Sequence, residues 1–569
     1  MILLSATRTL LSRHVATCLS AFLLVPPGCA QAPAQPSAQA APQAKQEATV
    51  LRVTTHLVQV NVIVQDKKGE PVADLTRGDF TLLDQGQPQQ ITSFSLESMG
   101  TLPAPPQAVP ANFYSNRFEQ KGGTPTAATV ILLDGLNTKF EDMAYARQQI
   151  IKFLGQLQPQ DRVGLYTLTT KLTILHDFTS DAAPLLRALE RYKGHSSTAL
   201  VGAEFEPADT GVDQIDAFLD DANQRVADFY TINRARQTAR ALEAIANHVA
   251  RLPGRKNLIW VSGGFPFYIG FGDVPASSTQ GPTTFNEDVE RAARALNDAN
   301  LAVYPVDARG LIGPHSANPS LSAASRGPAG RRGAVPSAPR ISPVRANFDT
   351  MNILADRTGG RAFYNTNDIL GSIRRAIEDS RVTYVLGYYP SHGQWDGKFH
   401  EMKVQVKQPG LHLHFRRGYF AWPDTPLELK QREALLREAV ASPLEATSLG
   451  LNVRVKPVDV PGARTLKTEL EVYPRDITLE PQGDRWVGSL SLLYVQQGPD
   501  GHDVTGESKT LNLRLTRETY ERVMKDGLVW NLDLPVADGA ARLRIVVRDA
   551  SSGSIGSVNI PLSKLFSGR

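Results

Sequence analysis

Apolar residues recur along this chain in two different periods, and the change from one to the other separates its parts. From Thr49 onward, Val50, Leu51, Val53, Leu57, Val58, Val60, Val62 and Val64 largely alternate with polar residues, which predicts β-structure with one face buried. The turn Asp66-Lys67-Lys68-Gly69 follows, and Phe80–Leu83 and Ile91–Leu96 predict further strands. Residues 49–98 are thus expected to form a small N-terminal β-module, near the lower size limit for folding alone. Beyond a linker at 99–125 the alternation stops. Ala127–Thr138 is a continuous apolar and β-branched run that ends abruptly in Asp134, Gly135, Asn137 and Thr138. Such a run predicts a strand buried on both faces, with Asp134 at its carboxyl end, the edge where open α/β sheets bind ligands.

Helical and strand periods then take turns. Met143–Leu157, Ala182–Tyr192, Thr231–Arg251, Asp288–Asn300, Asp349–Thr358 and Asn367–Ser380 predict helices. Val163–Leu168, Leu172–Leu175, Asn257–Val261, Leu301–Val306, Ala362–Tyr364 and Tyr384–Tyr389 predict strands between them. This order implies an α/β domain over 126–422 with a doubly wound, mainly parallel sheet of about six strands. A hairpin of Lys398–Val406 and Leu411–Tyr419 around Pro409-Gly410 is expected to close it. Two insertions interrupt the pattern. In 194–230, Val212, Ile215, Leu219, Ala222, Val226 and Phe229 lie at three-and-four spacing, an amphipathic helix with Asp213, Asp216, Asp220 and Asp221 turned mostly outward. The second, 309–345, is rich in Gly, Pro, Ser and Ala, carries Arg326, Arg331, Arg332, Arg340 and Arg345, and reads as a binding loop or a disordered segment. A connecting helix at 423–441 leads to short alternating runs between Leu449 and Leu562, which predict a C-terminal β-sandwich over 442–569.

Composition narrows the function. The 569 residues exceed one ordinary core, and 41% hydrophobic with 21% charged residues is a normal globular balance. The formal net charge is +4, of which Arg8 and Arg13 belong to a segment expected to be removed, so neither nucleic acid nor an anionic membrane surface is implied as a partner. That segment, Met1–Ala32, has the layout of a secretory signal peptide: arginines, then apolar Val15–Val25, then a tail ending Ala30-Gln31-Ala32. Its apolar part is too short for a stable anchor, so the mature chain is expected to lack a transmembrane helix and to be periplasmic, cell-surface or secreted. An Ala/Pro/Gln tether at 33–48 would follow. Both cysteines, Cys18 and Cys29, fall in the signal segment, which leaves the mature chain without a disulfide or thiolate site. The alternative is a lipoprotein modified at Cys29.

The central region resembles a von Willebrand factor A domain, in the divergent form of exported bacterial proteins such as those of the Acidobacteria. The resemblance rests on VILLDGLNT at Val130–Thr138, RVGLYTL at Arg162–Leu168, RKNLIWVSGGF at Arg255–Phe265, AVYPVDARG at Ala302–Gly310, YVLGYYPS at Tyr384–Ser391 and RRGYF at Arg416–Phe420. It implies an adhesion-type module that binds Mg²⁺ or another divalent cation through an Asp-x-Ser-x-Ser loop, a Thr from a second loop and an Asp from a third, with one position open to a partner's carboxylate. Carried over residue by residue, the ligands are Asp134, Thr138 and Thr198, the last from His195-Ser196-Ser197-Thr198. Leu136 replaces the first Ser, and Ser262-Gly263-Gly264 stands where the third loop's carboxylate belongs, so the site is degenerate and its cation weakly held. Without a cation, Asp134 caps the N–H groups of the turn that follows it.

Enzyme signatures are missing. The chain has no HExxH, no GxxxxGK, no GxSxG and no GxGxxG after a strand. The expected function is therefore that of an exported, non-catalytic protein-binding module, whose partner meets the sheet's carboxyl edge and the two insertions. The loop arginines favour an acidic partner surface. A structural envelope protein is the alternative, and a cryptic hydrolase built around His195 comes third. N-terminal sequencing of protein purified from its source is expected to begin just after Ala32; a chain that still starts at Met1 in the cytoplasm would refute export, and one that starts at an acylated Cys29 would establish the lipoprotein form.

Overall fold

The computed structural model describes residues 57–98, 110, 112–117, 127–194, 197–202, 209–252, 255–265, 283–312, 343–379, 381–393, 395–421, 429–460 and 463–566. The chain divides into two units, Met1–Thr54 and Thr55–Arg569, and every described residue lies in the second. The expected signal segment with Cys18 and Cys29, the 33–48 tether, His195 and Ser196, and Arg326, Arg331, Arg332 and Arg340 lie outside the described residues.

The alternating N-terminal segment forms β1 (Val58–Gln65), β2 (Phe80–Asp84), β3 (Gln87–Gln89) and β4 (Ser93–Ser98). Phe113–Ser115 is the short β5, and the uniformly apolar run becomes β6 (Ala127–Asp134). After it come α1 (Phe140–Leu154), β7 (Val163–Leu168), β8 (Leu172–Thr179), α2 (Ala182–Arg191) and the single turn α3 (Thr198–Val201). The 37-residue α4 (Asp213–Val249) leads to β9 (Arg255–Ser262), α5 (Thr283–Asp298), β10 (Leu301–Asp307), α6 (Pro343–Thr358) and α7 (Ile369–Glu378). Four strands follow: β11 (Val382–Tyr388), β12 (Phe399–Val406), β13 (His412–His414) and β14 (Gly418–Phe420). Then α8 (Leu429–Ala441) precedes the C-terminal strands β15 (Leu451–Val460) to β22 (Ile555–Pro561).

The central domain is α/β, with a doubly wound and mainly parallel sheet. Its strand order is β10-β9-β6-β7-β8; the first four strands are parallel, and β8 runs antiparallel at the edge. Every residue of β7, β9 and β10 is buried because helices cover both faces. Residues of α4, α5 and α6 pack on Val130, Leu132, Leu258, Trp260 and Val303. Those of α1, α2 and α7 pack on Ile131, Leu133, Val163, Ile259 and Tyr304. The sheet has five strands where about six were expected. Ala362–Tyr364 contributes a single bridge, Phe363 to Val306, and Tyr384–Tyr389 belongs to another sheet altogether.

That other sheet changes the boundaries. β1 pairs antiparallel with β11 on one side and with β13 on the other, in the order β13-β1-β11-β4. The facing sheet is β14-β12-β2-β3. Between them lies one core of Val60, Val62, Val64, Phe80, Leu82, Tyr384, Leu386, Met402 and Val404. Residues 57–98 and 382–420 thus build one sandwich, into whose chain the central domain is inserted, where the sequence suggested a module at 49–98 and a domain reaching 422. The reason is physical: β1 is buried along almost its whole length and needs a partner on each edge, which its own neighbours in sequence do not supply. The linker likewise is not all linker. β5 pairs with β15, and Asn116 is held by the Ala446 and Leu449 carbonyls and the Leu451 N–H. The C-terminal sandwich stacks a sheet of β20 (Leu528–Pro535), β16 (Ala463–Val472), β15 and β5 on one built around β18 (Arg485–Gln497) and β21 (Arg542–Asp549).

An ionic cluster joins α8 to the central domain. Arg291 on α5 lies 3.3 Å from Glu243 on α4, 2.7 Å from Asp288 and 3.2 Å from Glu438 on α8, while Arg240 stands 3.4 Å from Glu438. Burial pushes the Glu243 carboxyl up to about 7; Arg291 opposes this, and Glu438 and Asp288 add to it. A carboxyl whose pKa is raised on folding stabilises the fold fully at pH below its ordinary value and loses that contribution as pH rises through the folded value. Glu243→Gln is therefore expected to gain stability relative to the parent chain between pH 5 and pH 8, on the order of 2 kcal/mol, read from urea unfolding at both pH values. A difference that stays flat or falls with pH would contradict the burial argument.

Candidate functional site

Chain order in the central sheet runs outward from β6 through β7 to β8, then crosses to β9 and β10. The switch point lies between β6 and β9, and loops leaving the carboxyl ends of these two strands diverge there to open a crevice. Asp134 ends β6 and Ser262 ends β9, so both stand at the mouth of that crevice. The apolar strand thereby carries a carboxylate into a fully buried position.

The carboxylate is satisfied by donors. Its Oδ1 accepts the Asn137 backbone N–H at 3.1 Å, the turn cap expected from the sequence. Its Oδ2 faces three more groups: Asn137 Nδ2, Trp260 Nε1 and Ser262 Oγ, each at 2.9 Å. Asn137 Nδ2 also reaches Thr238 Oγ1 on α4 at 3.0 Å, which ties the helix into the same network. Burial raises the Asp134 pKa, and the hydrogen bonds from Asn137, Trp260 and Ser262 pull against it. Thr138 uses its hydroxyl twice, donating to the Asp134 carbonyl and accepting from the Gly263 N–H at 2.8 Å.

The loops close tightly over this network. A Cβ on Gly263 would meet the Thr138 methyl at 3.3 Å and the Asn137 carbonyl at 3.4 Å, so the loop after β9 rests its backbone on the loop after β6. An aspartate there would have to push them apart. Leu136, where the resemblance implied a serine, is buried in the apolar core, and Phe265 lies edge-on against Trp260 at 4.7 Å. The expected ligands are therefore not assembled as a group. Asp134 and Thr138 are adjacent and buried, whereas Thr198 is exposed on α3 and no hydrogen bond joins it to either among the described residues.

A hard divalent cation does not fit these donors. It needs about six oxygen ligands and retains water. Here the groups around Oδ2 are N–H and O–H donors, and the one buried acceptor left without a partner in the network is Asn137 Oδ1. Asp307, at the end of β10, is engaged by Arg309 at 2.8 and 2.9 Å in a local bidentate pair. Trp260 and Thr238 were not singled out by sequence reasoning. The signal was present in the tryptophan, because an indole N–H in a strand buried on both faces must find an acceptor.

No family model matches the chain, and no curated protein does. Among solved structures it is similar to von Willebrand factor A domain proteins. One is BatB from Bacteroides thetaiotaomicron, 12% identical, covering 44% of this chain and 95% of that one at a TM-score of 0.20. Another is the domain of the type V pili tip protein Mfa5 from Porphyromonas gingivalis, 10% identical, covering 45% and 97% at 0.25. A von Willebrand factor type A protein from Catenulispora acidiphila is 9% identical and covers 83% and 74% at 0.24.

Asp134→Ala is expected to cost about 3 kcal/mol in chemical unfolding, beyond the ~1 kcal/mol of a lost cap, since three further donors lose their acceptor. Millimolar Mg²⁺ is expected to leave the parent Tm unchanged. A marked upward shift with Mg²⁺ that vanishes in Asp134→Ala would show that a cation binds there after all.

Proposed function

We propose that the chain is an exported, non-catalytic protein-binding module that captures its partner at the carboxyl edge of the central sheet, chiefly through the first half of α4. The observation that carries this reading is an apolar helical stripe left in solvent. The Asn137–Thr238 hydrogen bond fixes α4 at the level of Asp134. Asp213 precedes Thr238 by 25 residues, so the helix continues about 37 Å past that point, beyond the edge of the sheet. No residue of α4 before Ala235 is buried. Ile215, Leu219, Val226 and Phe229 lie exposed at three-and-four spacing with Phe218 beside them, and Phe218 and Phe229 are 71% and 65% exposed. The sequence pattern suggested that this face would turn inward; it does not, because the helix has outrun the sheet it would cover.

A stripe of this spacing fits an apolar groove on a partner protein, read by anchors one helical turn apart. The remaining faces carry Asp213, Asp216, Asp220, Asp221 and Asp228, with Arg225 paired to Asp221 at 2.7 Å. That balance suits a partner whose groove has a basic rim, and it disfavours an anionic membrane surface, which selects lysine and arginine on the polar face. The acidic partner surface inferred from the 309–345 arginines rests largely on residues outside the described set, and the described insertion has the opposite sign. Capture is proposed to need no divalent cation.

The test uses the chain from residue 33 onward as immobilised bait against the envelope fraction of its source. Phe218→Asp combined with Phe229→Asp is expected to weaken binding of the captured protein on the order of 100-fold, with Tm unchanged and with no effect of chelator. Undiminished capture by the double variant would sink the proposed face.

A further inference from the structure

A second cluster of polar groups lies in the N-terminal sandwich, far from Asp134 in the sequence of both its halves. Asp84 ends β2 opposite Met402 of β12, and His400 sits two residues before Met402, so both side chains emerge on the same face of the sheet. Tyr419 on β14 is paired with His400. Tyr388 reaches across from β11 in the facing sheet, and His392 comes from the loop just after β11. These groups meet at one end of a core that is otherwise built of aliphatic and aromatic residues and Met402.

The spacing of the donor atoms is that of a metal site. His400 Nδ1 lies 3.2 Å from His392 Nε2, which lies 3.4 Å from Asp84 Oδ2, and all three are mutually within 4.8 Å. A tetrahedral Zn²⁺ bonded at about 2.0–2.1 Å holds its ligand atoms about 3.3 Å apart. The Tyr419 hydroxyl is 3.0 Å from both His392 Nε2 and Asp84 Oδ2, beside the remaining corner. The outer contacts also match. His400 Nε2 faces Asp396 Oδ1 at 3.2 Å, which places its proton on that side and leaves Nδ1 bare toward His392, as in carboxylate–histidine–metal arrangements.

Charge supplies an independent reason. The Asp84 side chain is fully buried, its Oδ1 has no hydrogen-bond partner among the described residues, and its Oδ2 accepts from the Tyr388 and Tyr419 hydroxyls at 2.8 and 3.0 Å. Among the described residues its one ion-pair partner is His392; Arg416, on the chain nearby, is turned to Asn297 and the Gln59 carbonyl. A buried carboxylate without a fixed cation is costly, and a divalent ion would neutralise it while using both imidazole lone pairs.

We propose that Asp84, His392 and His400 form a Zn²⁺ site, completed by water or the Tyr419 hydroxyl. His392 is one-fifth exposed and gives the ion its way in. The ion would clip the two chain segments that flank the inserted central domain, since Asp84 and Tyr388, beside His392, are 304 residues apart. Because neutral imidazole is the ligand, uptake would weaken as pH falls.

The test strips the full chain with chelator, dialyses it, and titrates it with ZnCl₂ by calorimetry. One Zn²⁺ per chain at micromolar Kd or tighter is expected, with a rise in Tm of several degrees. His392→Gln should bind at least 30-fold more weakly with an unchanged metal-free circular dichroism spectrum, and His502→Gln, at an exposed loop of the C-terminal sandwich, should bind like the parent. No uptake by the parent chain, or equal uptake by His392→Gln, would overturn the site and leave a hydrogen-bonded relay. Should His392→Gln fail to fold, Co²⁺ in the parent chain decides: a tetrahedral spectrum with imidazole ligation supports the site, and all-oxygen octahedral ligation rejects it.

Discussion

The Asp134 carboxylate is buried at the junction of two parallel strands, where N–H and O–H donors surround it, and much of the central domain is arranged to supply them. An uncompensated buried charge costs several kcal/mol, whereas hydrogen bonds to a charged group return about 1.5–3 kcal/mol each. The four donors come from the turn after β6 and from β9, and Asn137 hands the network on to α4. Three elements are thereby locked at one point. A cation site would keep an open corner for exchange; this one is closed by Trp260, Phe265 and the backbone of Gly263, so the aspartate serves the architecture of the switch point.

That lock governs what the edge of the sheet can present. With Thr238 held at the level of Asp134, the C-terminal part of α4 packs against the sheet through Ala239, Leu242, Ile245, Ala246 and Val249, and no residue of the part before Ala235 is buried. An isolated helix of some twenty residues is marginal in water, because nucleation is the costly step. Here the packed half has already supplied the nucleus, so the projecting half extends from it at the smaller cost of propagation. A partner of the proposed kind would then meet a stripe of anchors already in helical register, at a smaller ordering cost than a disordered segment would impose. The exposed phenylalanines of α4 and the closed carboxylate of β6 are in this sense two ends of one constraint.

The parallel sheet was legible because burial on both faces writes itself into the sequence as a largely apolar run, as in β6, β10 and the Leu258–Val261 part of β9. Pairing was not legible. A period of two tells which face of a strand is buried and says nothing about which strand lies alongside, so Tyr384–Tyr389, with its mixed apolar and polar residues, read as one more central strand when most of it lies in β11, the neighbour of β1. The turn cap at Asp134 was visible in the local order of residues, while the Trp260 and Thr238 contacts depend on which elements the crossovers bring together. Asp84, His392 and His400 show the limit most clearly. Their spacing along the chain has none of the regularity of a metal motif, and only the closure of the sandwich makes neighbours of them.

Closure of that sandwich imposes an order on folding. β1 and β2 find their partners, β11 to β14, only after the whole central domain has been threaded between them, and β5 waits for β15 in the same way. Pairings across such separations must meet their loop-closure entropy before any contact rewards it, which favours prior folding of the central domain, whose parallel strands are joined by shorter connections. Once folded, the central domain fixes the distance between the two flanking segments and reduces that entropy. Loop-closure entropy thus makes the pairing of the sandwich depend on the stability of the domain inserted into it, and a tie between β2 and the loop after β11 would act on that costly closure.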